Sequence, residues 1–281
     1  MSGIDLHIHS TASDGRFSPA ELVAKAAGRG LTVMALADHD TVDGIAPALE
    51  AARAFPELRV IPAVEINTDV PDGEAHILGY FIDYTDRQFQ TVLARLRNSR
   101  LQRAQGMLAK LNRLGVHLDW GRVQQIAGGS SLGRPHIAQA MLEKGYIGSF
   151  KEAFSRYIGR NGPAYVEREK ISTAAAVAEV LRVDGLPVLA HPLTVPDPER
   201  MVAGLKPAGL VGLEAYYQSY TRAEVSRLVN LATRYGLITT GGTDYHGLDA
   251  ASELELGGVD VPAAVAERLI ALARQRGSKL V

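Results

Sequence analysis

Short apolar runs that end in histidine or a carboxylate recur along this chain of 281 residues. The runs are rich in valine, isoleucine and leucine, and longer segments with helical periodicity separate them. This alternation is typical of β–α units that build a parallel sheet or a barrel. It predicts an α/β fold with seven strands, at residues 4–8, 32–37, 59–64, 75–81, 187–190, 211–215 and 237–240.

Helices between the predicted strands have recognisable first turns. Ser18 and Glu21 can form a capping box around Pro19, which suits the first helical position because it has no N–H to satisfy. We therefore expect a helix from Pro19 to about Gly28, and further helices at residues 173–183 and 263–276. Such helices would cover the faces of a parallel sheet.

Residues 87–165 interrupt the alternation, because they show helical patterns and glycines without a convincing buried strand. We interpret them as a helical insertion between two parts of one α/β domain, at 1–86 and 166–281. Up to residue 134 the insertion has nine basic side chains, opposed only by Asp119: Arg87, Arg95, Arg97, Arg100, Arg103, Lys110, Arg113, Arg122 and Arg134. They indicate either a solvated helix face or an electropositive wall for a phosphate-bearing substrate.

Composition limits the chemistry and the surroundings of the chain. Without cysteine, the metal ligands available are imidazole and carboxylate groups. The net charge of −1 gives no overall reason to expect nucleic-acid wrapping or membrane attachment. The first residues lack the basic and apolar regions of a secretory signal, and no stretch approaches about 18 apolar residues. We expect a cytoplasmic protein that does not contact a membrane.

Histidines and carboxylates gather at the predicted strand ends, where proteins built from parallel β–α units place their sites. His7 and His9 lie two residues apart and therefore share one face of the first strand. Polar residues also lie at the ends of later strands or just after them, at the opening of the fourth strand or in the first loop: Asp14, Asp38, His39, Asp40, Glu65, His76, His191, Glu214, Asp244 and His246. Any one such histidine is more often a structural group, but burying all of them together would be costly without cations. The joint pattern therefore predicts metal ions.

A second candidate site lies in the insertion, in the segment Gly133-Arg134-Pro135-His136. A helix is expected to begin at this proline, so a guanidinium and an imidazole would lie close to a helix N-terminus. That combination suits an anionic phosphoryl group. The alternative is an ordinary junction between a loop and a helix.

Six segments in order make the chain similar to the PHP (polymerase and histidinol phosphatase) family. They are Asp5-Leu6-His7-Ile8-His9-Ser10 with Ser13-Asp14-Gly15, Ala37-Asp38-His39-Asp40-Thr41, Pro62-Ala63-Val64-Glu65, His76-Ile77-Leu78-Gly79-Tyr80, Ala190-His191-Pro192 and Gly241-Gly242-Thr243-Asp244-Tyr245-His246-Gly247. The resemblance implies a distorted (β/α)7 barrel with a helical insertion between strands 4 and 5. It also implies two or three divalent metal ions, most often Mn²⁺, with Fe²⁺ or Zn²⁺ as alternatives.

The resemblance further implies how the ligands are shared, with Glu65 bridging two ions. The implied groups are His7, His9, Glu65 and Asp244 for one ion, Glu65, His76 and His191 for a second, and Asp14, His39 and His246 for a third. Asp38 and Asp40 are candidates for orienting His39 and its neighbours.

Within the family, the insertion with Arg134 to Ala138 and Gly162 to Val166 resembles the bacterial nucleoside 3′,5′-bisphosphate phosphatases, which are also described as 5′→3′ exonucleases on short RNA. This implies removal of the 3′-phosphate from a nucleotide such as phosphoadenosine phosphate, giving AMP. A short single-stranded RNA with a 5′-phosphate is the other implied substrate. A hydroxide bridging the metals at Glu65 would attack phosphorus, with Arg134, His136 and Ser130 contacting the phosphoryl group.

Three alternatives remain at this point. The chain could be a phosphatase for another small monoester such as histidinol phosphate. It could be a non-catalytic module that metal ions stabilise, although every ligand position is kept. It could also hydrolyse a C–N bond, as other metal barrels do, although the pair Arg134 and His136 favours phosphate.

Overall fold

The computed structural model describes residues 3–70, 74–127, 132–167, 171–248, 253–278 and 280. Its strands are β1 (Ile4–Ile8), β2 (Val33–Leu36), β3 (Arg59–Asp69), β4 (Glu74–Tyr80), β5 (Ile171–Ser172), β6 (Leu186–Leu189), β7 (Gly212–Tyr217) and β8 (Ile238–Gly242). Its α-helices are α1 (Pro19–Gly28), α2 (Ile45–Ala52), α3 (Arg87–Arg113), α4 (Trp120–Ala127), α5 (Arg134–Glu143), α6 (Phe150–Ala153), α7 (Thr173–Arg182), α8 (Pro198–Leu205), α9 (Arg222–Arg234) and α10 (Ala263–Gln275).

The chain divides into two compact units. The first unit comprises Met1–Thr91 and Ile171–Val281, and the second comprises Val92–Lys170. The expected insertion at 87–165 begins five residues before this second unit, because the first turn of α3 belongs to the first unit. It also ends five residues before the second unit does.

The first unit contains one mixed sheet that forms a nearly closed barrel. Its strand order is β1-β2-β3-β4-β6-β7-β8, and β5 pairs with β3 beside this path. The seven predicted strands are confirmed; the two-residue β5 is too short to give a sequence pattern. At the β1/β8 seam, the His9 N–H donates to the Tyr245 carbonyl at 2.9 Å and the Tyr245 N–H donates to the His7 carbonyl at 3.3 Å.

The expectation that every strand belongs to a parallel β–α unit is wrong for β4. This strand runs antiparallel to both β3 and β6. Because β3 and β4 follow each other directly, residues 65–69 pair with residues 74–78 and β3 continues past the predicted end at residue 64. The reversal explains how His76, near the start of its strand, reaches the edge where the parallel strands end.

The barrel core lies beneath the polar residues of the strands. One cluster combines alternate strand residues with the inner face of α10; it includes Ile61 and Ala63 of β3 and Leu78 and Tyr80 of β4. Residues two apart on a strand share a face. Glu65 therefore continues the inward face of β3, and His76 continues that of β4. The polar cluster lies directly above the apolar interior.

The second unit is helical in the part that the structure describes. Its core contains Met107 and Leu111 of α3 together with Ile137 and Met141 of α5, all fully buried. An exposed ion pair at 2.9 Å joins Arg122 of α4 to Glu143 of α5.

The predicted helix starts agree with the structure. The Ser18 hydroxyl accepts the Glu21 N–H at 3.3 Å, and the Glu21 carboxylate accepts the Ser18 N–H at 2.8 Å, so the capping box at α1 forms. The helices expected at 173–183 and 263–276 each end one residue earlier. Among the described residues, no helix has the length and apolar character needed to cross a membrane.

Candidate metal centre

The carboxylate of Glu65 lies at the centre of a buried polar cluster. Its Oε1 lies 2.7 Å from His76 Nδ1 and 3.0 Å from His191 Nε2. Its Oε2 lies 2.9 Å from His39 Nδ1. Only 1% of Glu65 is exposed. The backbone fixes this position, because the Asp40 N–H donates to the Glu65 carbonyl at 2.9 Å.

The two histidines of β1 direct their Nε2 atoms at the same pair of carboxylates. His7 Nε2 lies 3.3 Å from Glu65 Oε2 and 3.4 Å from Asp244 Oδ1. His9 Nε2 lies 3.4 Å and 2.9 Å from the same two oxygens. Each of the four residues offers one ligand atom within 4.8 Å of the others, so they could hold one metal ion. This is the first ligand group that the resemblance implied.

In two further groups, each residue also offers one ligand atom within 4.8 Å of the others. One contains His9, Asp14, His39 and His246, which is the implied third group with His9 added. The other contains His39, Glu65 and His76. His191, which was expected with Glu65 and His76, is absent from that triad, but its Nε2 contacts the same Glu65 oxygen as His76 does. The structure thus brings all nine expected ligands together.

Several buried atoms of this cluster make no hydrogen bond among the described residues, although some lie within 3 Å of one another. They are His7 Nε2, both ring nitrogens of His9, Asp14 Oδ1, Glu65 Oε2, His76 Nε2 and Asp244 Oδ1. A buried polar atom left in this state costs about 1–3 kcal/mol. Divalent cations would satisfy these atoms together, and imidazole with carboxylate suits Mn²⁺, Fe²⁺ and Zn²⁺. The residues present therefore fit a metal centre.

Glu214 and Tyr217 surround the cluster and contact atoms of its residues that do not face Glu65. The fully buried Glu214 places Oε1 3.0 Å from His7 Nδ1, and its Oε2 accepts the His191 N–H at 2.8 Å. The Tyr217 hydroxyl donates to Asp244 Oδ2 at 2.8 Å. The contacts to His7 and Asp244 leave His7 Nε2 and Asp244 Oδ1 directed at the cluster, which is how outer contacts orient metal ligands.

Sequence reasoning found Glu214 as a strand-end residue without a role, and it missed Asn67 and Tyr217. The Asn67 amide nitrogen lies 2.9 Å from His39 Nδ1. Asn67 follows Glu65 by two residues on the extended β3, so the pattern would have included it had the strand been predicted at full length. Tyr217 had no comparable signal, because a tyrosine at a strand end is commonly a packing residue.

Two further aspartates hold backbone segments around the cluster. Asp38 accepts the Ser10 N–H and hydroxyl, both at 2.7 Å, and the Ser13 hydroxyl at 2.6 Å, so it fixes the loop that leads to Asp14. Asp5 accepts the Thr243 hydroxyl at 2.6 Å and the Thr243 N–H at 3.0 Å. Asp5 therefore ties β1 to the segment that presents Asp244.

Three residues of the cluster or its border have left-handed backbone conformations. The φ angles are 52° at Asp40, 25° at His191 and 51° at Asp244. Side chains other than glycine rarely occupy this region, and such backbone strain concentrates at functional sites. The left-handed backbone at His191, two residues after β6, ends the extended conformation of that strand.

Charge interactions separate the pKa values of the histidines. Burial, together with the nearby charges of His246 and His39, lowers the pKa of His9 to about 3. Burial also opposes the charge of His246, but Asp14 and Asp244 raise its pKa to about 10. The histidines hold the pKa of Glu65 well below its ordinary value against the effect of burial. Without metal, the chain therefore keeps Glu65 ionised, His9 neutral and His246 protonated at neutral pH.

The residues predicted to contact phosphate lie in the second unit. His136 is buried in the first turn of α5, and its Nδ1 accepts the Gly133 N–H at 2.9 Å. The Arg134 guanidinium lies 5.5 Å from the centre of the Phe154 ring. Ser130 lies outside the described residues. Contact between these residues and a phosphoryl group stays a prediction.

Comparison with known proteins agrees with this architecture. The PHP domain model matches residues 5–177, which is more than half of the chain. This chain belongs to the PHP domain family.

Individual relatives extend over most of the chain. The 3′,5′-nucleoside bisphosphate phosphatase of Chromobacterium violaceum is 30% identical over 253 residues, covering 88% of each protein. The 5′-3′ exoribonuclease Rnm of Escherichia coli K12 is 32% identical over 247 residues, covering 86% of this chain and 84% of the relative. A solved structure from Bifidobacterium adolescentis, described as a metal-dependent phosphoesterase, has a TM-score of 0.86 and 28% identity, covering 99% of this chain and 97% of that one. The prediction of an enzyme that hydrolyses phosphoric esters is confirmed at the level of class.

Proposed function

We propose that this protein hydrolyses the 3′-phosphate of nucleoside 3′,5′-bisphosphates, for example phosphoadenosine phosphate to AMP and phosphate. We further propose that it trims short 5′-phosphorylated single-stranded RNA in the 5′→3′ direction. The observation that carries the proposal is the convergence around Glu65 of buried nitrogen and oxygen atoms that lack hydrogen-bond partners in the described chain. The names of the relatives favour these two substrates.

We assign nine residues as ligands of two or three divalent ions, with Mn²⁺ as the first candidate and Fe²⁺ or Zn²⁺ as alternatives. The ligands are His7, His9, Asp14, His39, Glu65, His76, His191, Asp244 and His246. When bound, such ions activate water and neutralise charge on the phosphoryl group.

Side chains next to the cluster orient the proposed ligands. Glu214 engages Nδ1 of His7 and thereby leaves Nε2 for the metal. The Tyr217 hydroxyl holds one oxygen of Asp244 and leaves the other directed at His7 and His9. In the second unit, Arg134, His136 and Ser130 are the proposed phosphate contacts, because a guanidinium can donate to two phosphoryl oxygens at once. The location proposed for the protein is the cytoplasm, where nucleotides and RNA occur.

Substrate comparison tests the proposal. The metal-loaded protein is supplied with a nucleoside 3′,5′-bisphosphate, a 5′-phosphorylated RNA pentamer or histidinol phosphate, and product release is measured for each. We expect turnover of the first two and little of the third. Absence of product from both nucleotide substrates, or preference for histidinol phosphate, would contradict the proposal.

Two histidine variants test whether the cluster around Glu65 binds the metal that turnover requires. His191→Ala removes a residue that contacts Glu65, so we expect loss of bound metal and of turnover. His117→Ala changes an exposed histidine of the second unit and should retain both properties. Equal activity of the two variants would contradict the assignment of His191.

A further inference from the structure

The side chains of β1 change faces partway along the strand. Ile4 and Leu6 pack in the barrel core. A regular strand would also direct Ile8 into this core, because residues two apart share a face. Ile8 instead packs in a separate cluster with residues of α1. His7 and His9 direct their rings at the polar cluster. The inward face of β1 therefore changes between Leu6 and His7.

The pairing of β1 with β2 is irregular at the same place. Asp5 pairs with Met34 and Ile8 pairs with Leu36, so three steps along β1 match two steps along β2. One extra residue in a strand is a β-bulge. A shift of one residue moves every side chain beyond it to the opposite face. The bulge of β1 therefore accounts for the inward direction of both histidines.

A second irregularity lies in β7. The register against β8 shifts between Glu214 and Tyr216. Glu214 and Tyr217 both contact residues of the polar cluster, although they lie three residues apart. On a regular strand they would face opposite sides. Two strands thus leave regular β-structure beside the cluster, where bulges commonly redirect side chains.

Tyr80 contacts the bulge of β1 from across the barrel. Its hydroxyl donates to the Leu6 carbonyl at 3.0 Å, although β4 lies three strands from β1 in the sheet order. Both residues are fully buried. Pairing with Ala63 of β3 and Leu186 of β6 fixes the backbone of Tyr80. Burial raises the pKa of Tyr80 well above its ordinary value, so the hydroxyl keeps the proton that it donates.

The Leu6 carbonyl and the His7 N–H belong to one planar peptide group. Tyr80 holds the oxygen of this group, and the Asp5 carboxylate accepts its N–H at 3.4 Å. The orientation of this plane sets the direction in which the chain continues into His7. The contacts at its two ends therefore oppose its rotation.

We propose that Tyr80 is a positioning residue of the metal centre: its hydroxyl fixes the bulge of β1 and so keeps His7 and His9 directed at Glu65. This role rests on the proposed function, because it takes both histidines as metal ligands. Tyr80 acts indirectly, through the backbone of Leu6. Loss of the hydroxyl frees the peptide group, so the two imidazoles can move relative to the Glu65 carboxylate.

Tyr80→Phe tests this role, because it removes the hydroxyl oxygen and keeps the ring. We expect about tenfold weaker binding of Mn²⁺ to the full-length protein, as for the loss of other outer contacts to metal ligands. Competition with a chelator measures this affinity. At saturating Co²⁺, the visible absorption spectrum should differ from that of the wild type, because the spectrum depends on the arrangement of the ligands around the ion.

Ile61→Val is the matched control. Ile61 is fully buried in the same core as Tyr80, and the variant loses one methyl group but no hydrogen-bonding atom. We expect a lower urea midpoint in both variants, but wild-type Mn²⁺ affinity and a wild-type Co²⁺ spectrum in Ile61→Val. A merely structural role of Tyr80 would change the urea midpoint alone.

Three results would overturn the inference. They are wild-type affinity and spectrum in Tyr80→Phe, equal loss of affinity in Ile61→Val, or loss of cooperative unfolding in Tyr80→Phe, which would assign the hydroxyl to the stability of the whole barrel. The two proposals fail separately. Mn²⁺ binding that depends on the Tyr80 hydroxyl, without hydrolysis of any nucleotide, would overturn the proposed function and support the positioning role. Bisphosphate turnover by Tyr80→Phe with wild-type affinity and spectrum would overturn the positioning role and support the function.

Discussion

At the scale of the residue, His7 shows how the cluster is held. Glu214 contacts its Nδ1 at 3.0 Å, and Nε2 on the other side faces Glu65 and Asp244. The same Glu214 accepts the N–H of His191, whose backbone is left-handed. One buried carboxylate therefore positions two residues that approach Glu65 from different strands.

Glu214→Gln should weaken metal binding by about 10- to 100-fold, which is the usual effect of losing an outer contact to a metal ligand. The amide keeps the size of the side chain but removes the charge that supports His7. Competition with a chelator measures the affinity. Glu267→Gln, at an exposed position on α10, is the control and should bind metal as the wild type does. Equal affinities in the two variants would contradict the role of Glu214.

Metal binding should release protons at neutral pH, because the pKa of His246 is about 10 in the metal-free chain. A ligand imidazole must lose that proton, so apparent affinity should rise with pH below about 10, by up to about tenfold per pH unit for one proton. His9, with a pKa of about 3, is already neutral and adds no proton. Calorimetry in buffers of different ionisation enthalpy counts the protons. Affinity that is constant between about pH 6 and pH 8 would contradict this assignment.

At the scale of the element, the β1/β8 seam connects the fold to the site. Gly242 ends β8, and a Cβ built there would lie 2.5 Å from the His7 nitrogen and 2.7 Å from the His7 Cβ. Glycine therefore allows β1 to approach β8 closely enough for Asp5 to bind the Thr243 backbone. The close approach places His7 and Asp244 beside each other.

Gly242→Ala should destabilise the protein by about 1–3 kcal/mol, because the added methyl group overpacks the seam. It should also lower metal affinity, since β1 can relieve the clash only by moving His7. Gly204→Ala is the control: apart from its chain neighbours and the nearby backbone of α8, no atom lies within 4 Å of the added Cβ, and the change should stabilise the helix by about 0.5–1 kcal/mol. Urea unfolding measures the stability of both variants, and competition with a chelator measures their metal affinity. A neutral Gly242→Ala variant with full metal affinity would contradict the account of the seam.

The sequence predicted the strands better than their directions. Periodicity located all seven longer strands, because each is a short buried run. It did not show that β4 reverses, since a buried antiparallel strand has the same apolar pattern as a parallel one. It also ended β3 too early, because Glu65 and Asn67 resemble loop residues until the cluster explains their burial. The nine residues expected as ligands could be named because they lie at or near predicted strand ends and match the family segments, whereas Tyr217 depended on a contact that only the fold creates.

At the scale of the whole molecule, chemistry and charge are assigned to different units. The first unit contains the histidine and carboxylate cluster and is acidic overall, whereas the second is basic. The metal cluster can account for hydrolysis of a phosphate ester. This account depends on the claim that the cluster around Glu65 binds catalytic metal.

Metal content measured together with turnover tests that claim most directly. Elemental analysis of the purified protein should find two or three divalent ions per chain, consistent with three overlapping ligand groups. Hydrolysis of a nucleoside 3′,5′-bisphosphate should fall to background after chelation and return when Mn²⁺ is restored. Full turnover by the metal-free protein would contradict the account.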